Sequence, residues 1–192
     1  YDIDGGSITL DGESIYDIPK KKLRGSIGIV LQDTVIFNDT IMQNIRYGRL
    51  DATDEEVIAA AKTAKVADFA EKMADGYDTM LTEGGGNLSQ GQRQLIAIAR
   101  AVLADPKILI LDEATSSIDT RTEVHIQEAM LALMKGRTSL IIAHRLSTIR
   151  DADKIVVIDG GKVVEAGNHE KLLSENGAYA RLYNTQFAGI KT

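Results

Sequence analysis

The chain has 192 residues, of which 44% are hydrophobic and 26% charged, a composition that fits one globular α/β domain with a substantial core. Its net charge of −6 argues against a nucleic-acid-binding surface, which needs a basic face. It has no cysteine for disulfides or thiolate metal sites and no apolar run near the roughly 20 residues of a membrane span, so we expect it to be soluble.

The first part of the chain predicts short strands and turns. Ser7–Leu10 alternates between polar and apolar side chains and is followed by Asp11-Gly12, which predicts a strand and a turn. Ile27–Leu31 is rich in β-branched residues and predicts a strand that ends at the polar Gln32. The chain opens without Met inside a strand-like pattern, and we interpret it as part of a longer protein.

The middle of the chain, from Asp33 to Ala104, predicts helices rather than strands. Three Ser or Thr residues stand three positions before Glu or Gln, the spacing of a helix-capping box. These pairs are Thr40 with Gln43, Thr53 with Glu56, and Ser89 with Gln92. Apolar residues at helical spacing follow the second and third pairs, and Asp105-Pro106 is predicted to end the last of these helices.

The last part predicts strands that alternate with helices. The predicted strands are Ile108–Leu111, covered on both faces, and Thr138–Ala143, also buried. Between them Thr120 with Glu123 predicts the cap of a helix that ends at Gly136. A hairpin of Lys154–Asp159 and Lys162–Glu165, turning at Gly160-Gly161, precedes two short helices. This alternation predicts a mostly parallel sheet with helices on both faces.

Two segments carry residues suited to nucleoside triphosphate chemistry. Asn87–Gln94 places a Ser and a Gly at the opening of a helix, where backbone N–H groups can hold an anion. Asp112 and Glu113 stand at the C-terminal end of a predicted strand, where α/β sheets place metal and phosphate chemistry. The phosphate-binding pattern Gly-x-x-x-x-Gly-Lys-Ser/Thr is absent from the sequence, and Gly86–Gly91 is followed by Gln92-Arg93 instead.

In this order and spacing, the motifs resemble those of the nucleotide-binding domain of ATP-binding-cassette (ABC) transporters, and the resemblance covers essentially the whole chain. Gln32 resembles the Q-loop glutamine and His144 the switch histidine. Leu88–Gln92 resembles the signature motif, with Gln90 where Gly is common, and we call it the signature segment. The other matches are Thr82–Gly85 (exporter coupling segment), Ile108–Asp112 followed by Glu113 (Walker B) and Ser116–Asp119 (D-loop).

The resemblance implies a P-loop NTPase-like α/β fold whose mostly parallel sheet core carries a helical subdomain insert and is incomplete at the N-terminus. It implies three sections: 1–32 as core strands up to the Q-loop, 33–104 as the helical subdomain, and 105–192 as the rest of the RecA-like core. An incomplete sheet would expose an apolar face and a strand edge, so we expect self-association.

The resemblance also implies site roles, with ATP and Mg²⁺ as cofactors. Asp112 and Gln32 would hold or sense Mg²⁺, Glu113 would accept a proton from the attacking water, and His144 would contact the γ-phosphate. Asp119 would bridge two domains packed head to tail. In that dimer Leu88, Ser89, Gln90, Gly91 and Gln92 would contact the nucleotide of the partner, not that of their own domain.

Each element also has a purely structural interpretation when it is taken alone. Ser89 can serve only as a helix cap, Asp112-Glu113 as a loop start, and His144 as a strand-end histidine. Five elements in family order favour the functional interpretation.

We therefore expect the C-terminal part of an ABC exporter ATPase domain. It would be joined to transmembrane domains at the cytoplasmic face of a membrane and be inactive alone without Walker A. The alternative is a non-catalytic module that pairs with another cassette or a transmembrane coupling helix; a soluble DNA-repair or translation ATPase is disfavoured.

Overall fold

The computed structural model describes residues 3–31, 34–112, 118–142 and 149–188, with side chains up to residue 185. It forms two compact units, divided after Ile142. Within the described residues, no helix is both long and apolar enough to cross a membrane. The division into three sections at residues 32 and 104 stays a prediction.

The first unit contains five strands and six α-helices among its described residues. The strands are β1 (Thr9–Leu10), β2 (Glu13–Ser14), β3 (Ile27–Val30), β4 (Ile108–Asp112) and β5 (Thr138–Ile142). The helices are α1 (Lys20–Ser26), α2 (Ile41–Arg46), α3 (Asp54–Thr63), α4 (Ala67–Ala70), α5 (Gln90–Ala104) and α6 (Thr120–Met134), with 3₁₀ turns at Gly76–Asp78 and Glu83–Gly85. The predicted first strand and turn are confirmed, because Asp11 and Gly12 join β1 to antiparallel β2 with positive φ angles of 50° and 85°.

A three-stranded parallel sheet, in the order β3-β4-β5, forms the centre of this unit. Its register pairs Val30 with Leu111 and Leu111 with Ile141, so these side chains share one face. That face joins one hydrophobic core with the apolar sides of α5 and α6, including Leu95, Ile98 and Leu133. The predicted α/β fold with a parallel sheet and a helical region is confirmed.

The opposite face of this sheet is open. Ile29 and Leu140, which flank Ile110 in register, are 56% and 61% exposed, and Leu31 and Ile142 are exposed beside them. The prediction that β5 is buried is therefore wrong, and β4 is covered on one face only. The physical reason is that α5 and α6 lie on one side of the sheet, and apolar content alone does not reveal how many sides are covered.

The predicted helix starts are mostly confirmed. Thr53 and Ser89 each form a complete capping box, with Glu56 and Gln92 respectively, and Thr40 accepts the backbone N–H of Gln43. The predicted cap at Thr120 is wrong, because Asp119 caps α6 by accepting the N–H of Thr122. α5 ends as predicted, at Asp105 in the left-handed conformation (φ 47°), whereas α6 ends at Met134, before Gly136.

The second unit, within residues 149–188, is a hairpin covered by two helices. β6 (Ile155–Asp159) pairs antiparallel with β7 (Lys162–Gly167), as predicted, and α7 (His169–Ser174) and α8 (Ala178–Ala188) follow. Ile155, Leu172 and Tyr179 form its small core. Glu165 on β7 accepts the backbone N–H groups of Ala178 and Tyr179, so the hairpin is tied to the start of α8.

Candidate functional site

The loop before the signature segment is shaped by its own polar groups. The amide of Asn87 donates to the carbonyl of Met80 at 3.0 Å and accepts the backbone N–H of Thr82 at 3.3 Å. Gly84 and Gly85 take positive φ angles of 68° and 67°, which favour glycine. The loop therefore folds back on itself and delivers the chain to the first turn of α5.

Arg93 fixes the end of this loop to α5, a role that the sequence pattern did not reveal. Its guanidinium donates to the carbonyl of Leu88 at 2.8 Å and to that of Gly85 at 3.3 Å. The Gly85 carbonyl ends a 3₁₀ turn and the Leu88 carbonyl lies outside regular structure, and the half-buried guanidinium donates to both. The signature segment is thus held from within the same helix.

The signature segment itself begins α5 with a reciprocal cap. Ser89 Oγ accepts the N–H of Gln92 at 3.2 Å, and Gln92 Oε1 accepts the N–H of Ser89 at 2.9 Å. Leu88 and Gly91 are buried, Gln90 and Gln92 are half-buried, and Ser89 is exposed. The remaining first-turn N–H groups have no partner within the helix, and the dipole of this 15-residue helix adds positive potential. An anion approaching from solvent would therefore meet Ser89 and the helix start.

The carboxyl edge of the sheet carries the other predicted residues, and the structure describes only some of them. Asp112 is the half-buried last residue of β4 and pairs in register with Ile142. Gln32, Glu113 and His144 lie outside the described residues, as do Ser116 and Ser117. The contacts of these predicted site residues with one another stay predictions.

Asp119 has a defined role within its own chain. Its carboxylate accepts the N–H of Thr122 at 3.0 Å and so caps α6. This hydrogen bond, with a smaller contribution from the Thr122 side chain, lowers the pKa of Asp119 below its ordinary value of 3.8. The cap positions the segment after the predicted D-loop, and a bridge from Asp119 to a second domain stays a prediction.

Arg100 is a further functional candidate that the sequence pattern did not indicate. It donates to the carbonyls of Asn44 and Val35, both at 2.6 Å, and to Asn44 Oδ1 at 2.7 Å. Its guanidinium also stacks at 5.2 Å from the ring of Phe37 and 5.9 Å from that of Tyr47. Burial lowers the pKa of Arg100 below its ordinary value. This clamp joins the helix that carries the signature segment to residues 35–47, just after Gln32.

Several apolar side chains of the helical region are exposed, and three of them belong to residues that contact Arg100. Phe37 and Tyr47 stack with ring centroids 4.5 Å apart, and both reach solvent. Val35, Leu50 and Met80 are exposed in the same helical region. The backbone of Met80 forms an isolated antiparallel β-bridge with Thr40 at the start of α2. We call these five residues the helical-region patch. Exposed apolar clusters of this kind commonly mark contact surfaces for other proteins or membranes.

Comparisons with known proteins identify the family of this chain. The family model described as ABC transporter matches residues 1–116. The ABC transporter ATP-binding protein YfiC of Bacillus subtilis is 57% identical over 187 residues, which are 97% of this chain and 31% of that protein. An ATP-dependent lipid A-core flippase of Hahella chejuensis is 54% identical over 189 residues, which are 98% of this chain and 32% of that protein.

A solved structure shows the same fold. In the structure of a bacterial Atm1-family ABC exporter with ATP bound, the matching region has a TM-score of 0.89 and 48% sequence identity, and it covers 97% of this chain and 32% of that one. The chain thus spans about a third of the length of the relatives it matches. The matched motifs, the sequence identity and the shared fold show that this chain belongs to the ABC transporter family, as an ATP-binding domain of the exporter type.

Proposed function

We propose that this chain supplies one half of an exporter ATPase, in which ATP binding and hydrolysis drive transport by transmembrane domains at the cytoplasmic face of a membrane. The observation that carries the proposal is the signature segment. Its serine is exposed at a capped helix start, while its flanking Leu88 and Gly91 are anchored in the chain's own core. Such a helix start can receive a phosphate from outside the chain.

The exposure of Ser89 supports head-to-tail pairing with a second nucleotide-binding domain. A γ-phosphate held by the partner would accept hydrogen bonds from Ser89 and from the first-turn N–H groups of α5. Charge-assisted bonds of this type contribute roughly 1.5–3 kcal/mol each. The chain's own loop contacts, through Asn87 and Arg93, would keep these donors in place before the nucleotide arrives.

The carboxyl edge of the sheet supports a role in hydrolysis. Asp112 offers a half-buried carboxylate at the end of a parallel strand, a donor type and position that suit Mg²⁺. With Gln32 it would hold that ion, which neutralises phosphate charge when bound. We assign Glu113 as the acceptor of the water's proton and His144 as a donor to the phosphate, and both roles follow from the family resemblance.

The helical-region patch supports docking to transmembrane domains. Val35 and Phe37 follow Gln32 closely, and Arg100 ties them to the helix of the signature segment. A transmembrane segment that docks on the exposed rings would therefore contact the same rigid part that carries Ser89. The chain's net charge of −6 argues against nucleic acid as a partner.

The experiment separates the exporter ATPase from the non-catalytic pairing module. The chain is mixed with the full-length gene product that carries this sequence, with its Glu113→Gln substitution so that it retains ATP, and pairing is followed by light scattering. We expect ATP-dependent pairing that Ser89→Arg in the chain abolishes. Thr53→Arg is the matched control, because Thr53 also starts a capping box but lies at another helix.

Pairing that does not need ATP, or that Thr53→Arg weakens as much as Ser89→Arg, would contradict the signature role. ATP turnover is measured in parallel. We expect none from the chain alone, which has no phosphate-binding loop, and steady turnover from the unsubstituted full-length gene product. A full-length product that pairs with ATP but never hydrolyses it would favour the non-catalytic module.

A further inference from the structure

Gly91 in the signature segment is buried against the first turn of α6. A Cβ atom built on Gly91 would overlap Thr122 Cγ2, and it would lie 3.2 Å from Ile118 Cγ2 and 3.3 Å from Thr122 Cβ. The Thr122 methyl group has little freedom to move away from such a Cβ atom, because it belongs to a short β-branched side chain. The two helices therefore meet at the one position where α5 has no side chain.

The backbone of Gly91 does not itself require glycine. Gly91 is the second residue of α5, and it is not among the described glycines with positive φ. A glycine inside a helix costs about 1 kcal/mol relative to alanine, so local helix stability favours a side chain here. Space is thus the feature of this structure that demands glycine, and α6 of the same chain limits that space.

The side chain that fills this space is itself held in position. Asp119 caps α6 through the N–H of Thr122, so Thr122 belongs to a fixed first turn. Ile118 contacts the same hydrophobic core as Leu95 of α5. Ser89, two residues before Gly91, stays exposed on the other side of the helix start. The segment therefore has one side for an external ligand and one side for α6.

We propose that Thr122 is a positioning residue, whose methyl group seats Gly91 so that the first turn of α6 sets the position of the signature segment. The inference rests on the proposed function of that segment. It assigns the need for glycine at this position to packing within the chain, rather than to close approach of the partner's nucleotide. It also links the segment after Asp119 to the phosphate-binding turn of the same domain.

A compensating pair of substitutions tests this assignment in the full-length gene product. Gly91→Ala should lower kcat for ATP hydrolysis by about tenfold or more, through displacement of the α5 start. Adding Thr122→Ser removes only the methyl group that overlaps the new Cβ, and it should restore kcat to within about threefold of its original value. Adding Thr122→Val instead keeps a methyl group in that place and should restore nothing.

These three variants and Thr122→Ser alone are also compared with the unsubstituted protein. The KM for ATP is measured in the full-length gene product and thermal unfolding in the 192-residue chain. We expect Thr122→Ser to recover both the KM for ATP and the unfolding temperature that Gly91→Ala loses. Recovery of unfolding temperature without recovery of kcat, or additive effects of the two substitutions, would overturn the positioning role and assign Gly91 to the nucleotide. If Gly91→Ala does not fold, failure of Thr122→Ser to restore folding overturns it equally. A full-length product without any ATP hydrolysis refutes the proposed function, while the unfolding comparison still tests the packing.

Discussion

The helical region, residues 34–104, and the sheets of this chain differ in how completely they are enclosed by the chain itself. In the helical region the apolar faces of α2, α3 and α5 are buried together, and the buried Asn44 and half-buried Arg93 and Arg100 satisfy loop carbonyls. In the three-stranded sheet, one face is buried and the other exposes Ile29 and Leu140. The signature segment thus lies in the self-contained part, and Asp112 lies in the part that is open on one face.

The two halves of the proposed site are therefore held in place by different parts of the structure. Ser89 is positioned by its own cap, its own loop and the neighbouring helix α6, all within the described chain. Asp112 ends a strand whose second face is uncovered, and the sequence contains no phosphate-binding loop beside it. We therefore expect the signature end to keep its geometry in this chain and the hydrolytic end to need further protein.

We expect the largest effect when the Arg100 clamp of the helical region is removed. Arg100→Ala deletes three hydrogen bonds to Val35 and Asn44, and the carbonyl of the buried Asn44 loses its side-chain donor, while Asn44 Oδ1 keeps the N–H of Phe37. We expect the free energy of unfolding to fall by about 3 kcal/mol, with a smaller loss for Arg100→Lys, which keeps the charge but not the planar fork. Urea denaturation of the chain measures both.

Lys72→Ala is the matched control, because Lys72 is an exposed cation without a described ion pair in the same region. It should change the free energy of unfolding by less than about 0.5 kcal/mol. Equal effects of Arg100→Ala and Lys72→Ala would show that apolar packing alone encloses the helical region.

Helix caps in the two regions differ in how well local sequence spacing predicts them. The boxes at Thr53 and Ser89 are local patterns, and both were predicted and found. The sequence predicts Thr120 as the cap of α6, because Glu123 follows it by three residues. The true cap, Asp119, stands one residue earlier and accepts the N–H of Thr122, which also follows it by three residues. Local spacing cannot decide between two adjacent candidates when both have suitable side chains.

The local sequence patterns do not predict contacts between residues that are distant along the chain. Arg100 binds Asn44 across 56 residues, and Gly91 meets Thr122 on another helix, so no periodic pattern announces either contact. The exposure of β5 was missed for a related reason. Its apolar run predicts burial, but which faces are covered depends on how helices from elsewhere in the chain pack. The roles of Gln32, Glu113 and His144 stay predictions.

The second test concerns the open face of the three-stranded sheet. We expect the chain to self-associate through this face at micromolar concentrations, since exposed apolar clusters recruit other copies. Leu140→Lys places a charge on this face and should raise the dissociation constant by about tenfold or more. Sedimentation equilibrium over a concentration series measures the change.

Leu131→Lys provides the control, because Leu131 is 65% exposed but lies on α6, away from the sheet. It should leave the dissociation constant unchanged. If both substitutions weaken association alike, the open sheet face is not the contact surface. The uncovered face would then have no effect on association.

The smallest expected effect lies in the second unit, where the carboxylate of Glu165 ties the hairpin to the start of α8. Glu165 accepts the N–H groups of Tyr179 and Ala178, and these bonds lower its pKa below the ordinary value of 4.5. A lowered carboxyl pKa means that the contact stabilises the folded unit fully above pH 4.5, and that this stabilisation is lost as the pH falls through the lower folded value. Because Glu165 is only half-buried, solvent screens its charge and we expect only a local effect.

Hydrogen exchange measures this effect at the amides that donate. After correction for the intrinsic exchange rate, the protection of Ala178 and Tyr179 should fall as the pH drops below the ordinary carboxyl pKa of 4.5 and through the lowered pKa of Glu165. Glu165→Gln removes the titrating group and should give protection that is lower and independent of pH. Glu175→Gln removes another carboxylate of the second unit, paired with Lys171 at 3.7 Å, and should leave the pH dependence at Ala178 intact. A pH-independent profile in the unsubstituted chain would mean that the apolar contacts of Tyr179, rather than Glu165, hold the hairpin to α8, and that this sheet is enclosed in the same way as the helical region.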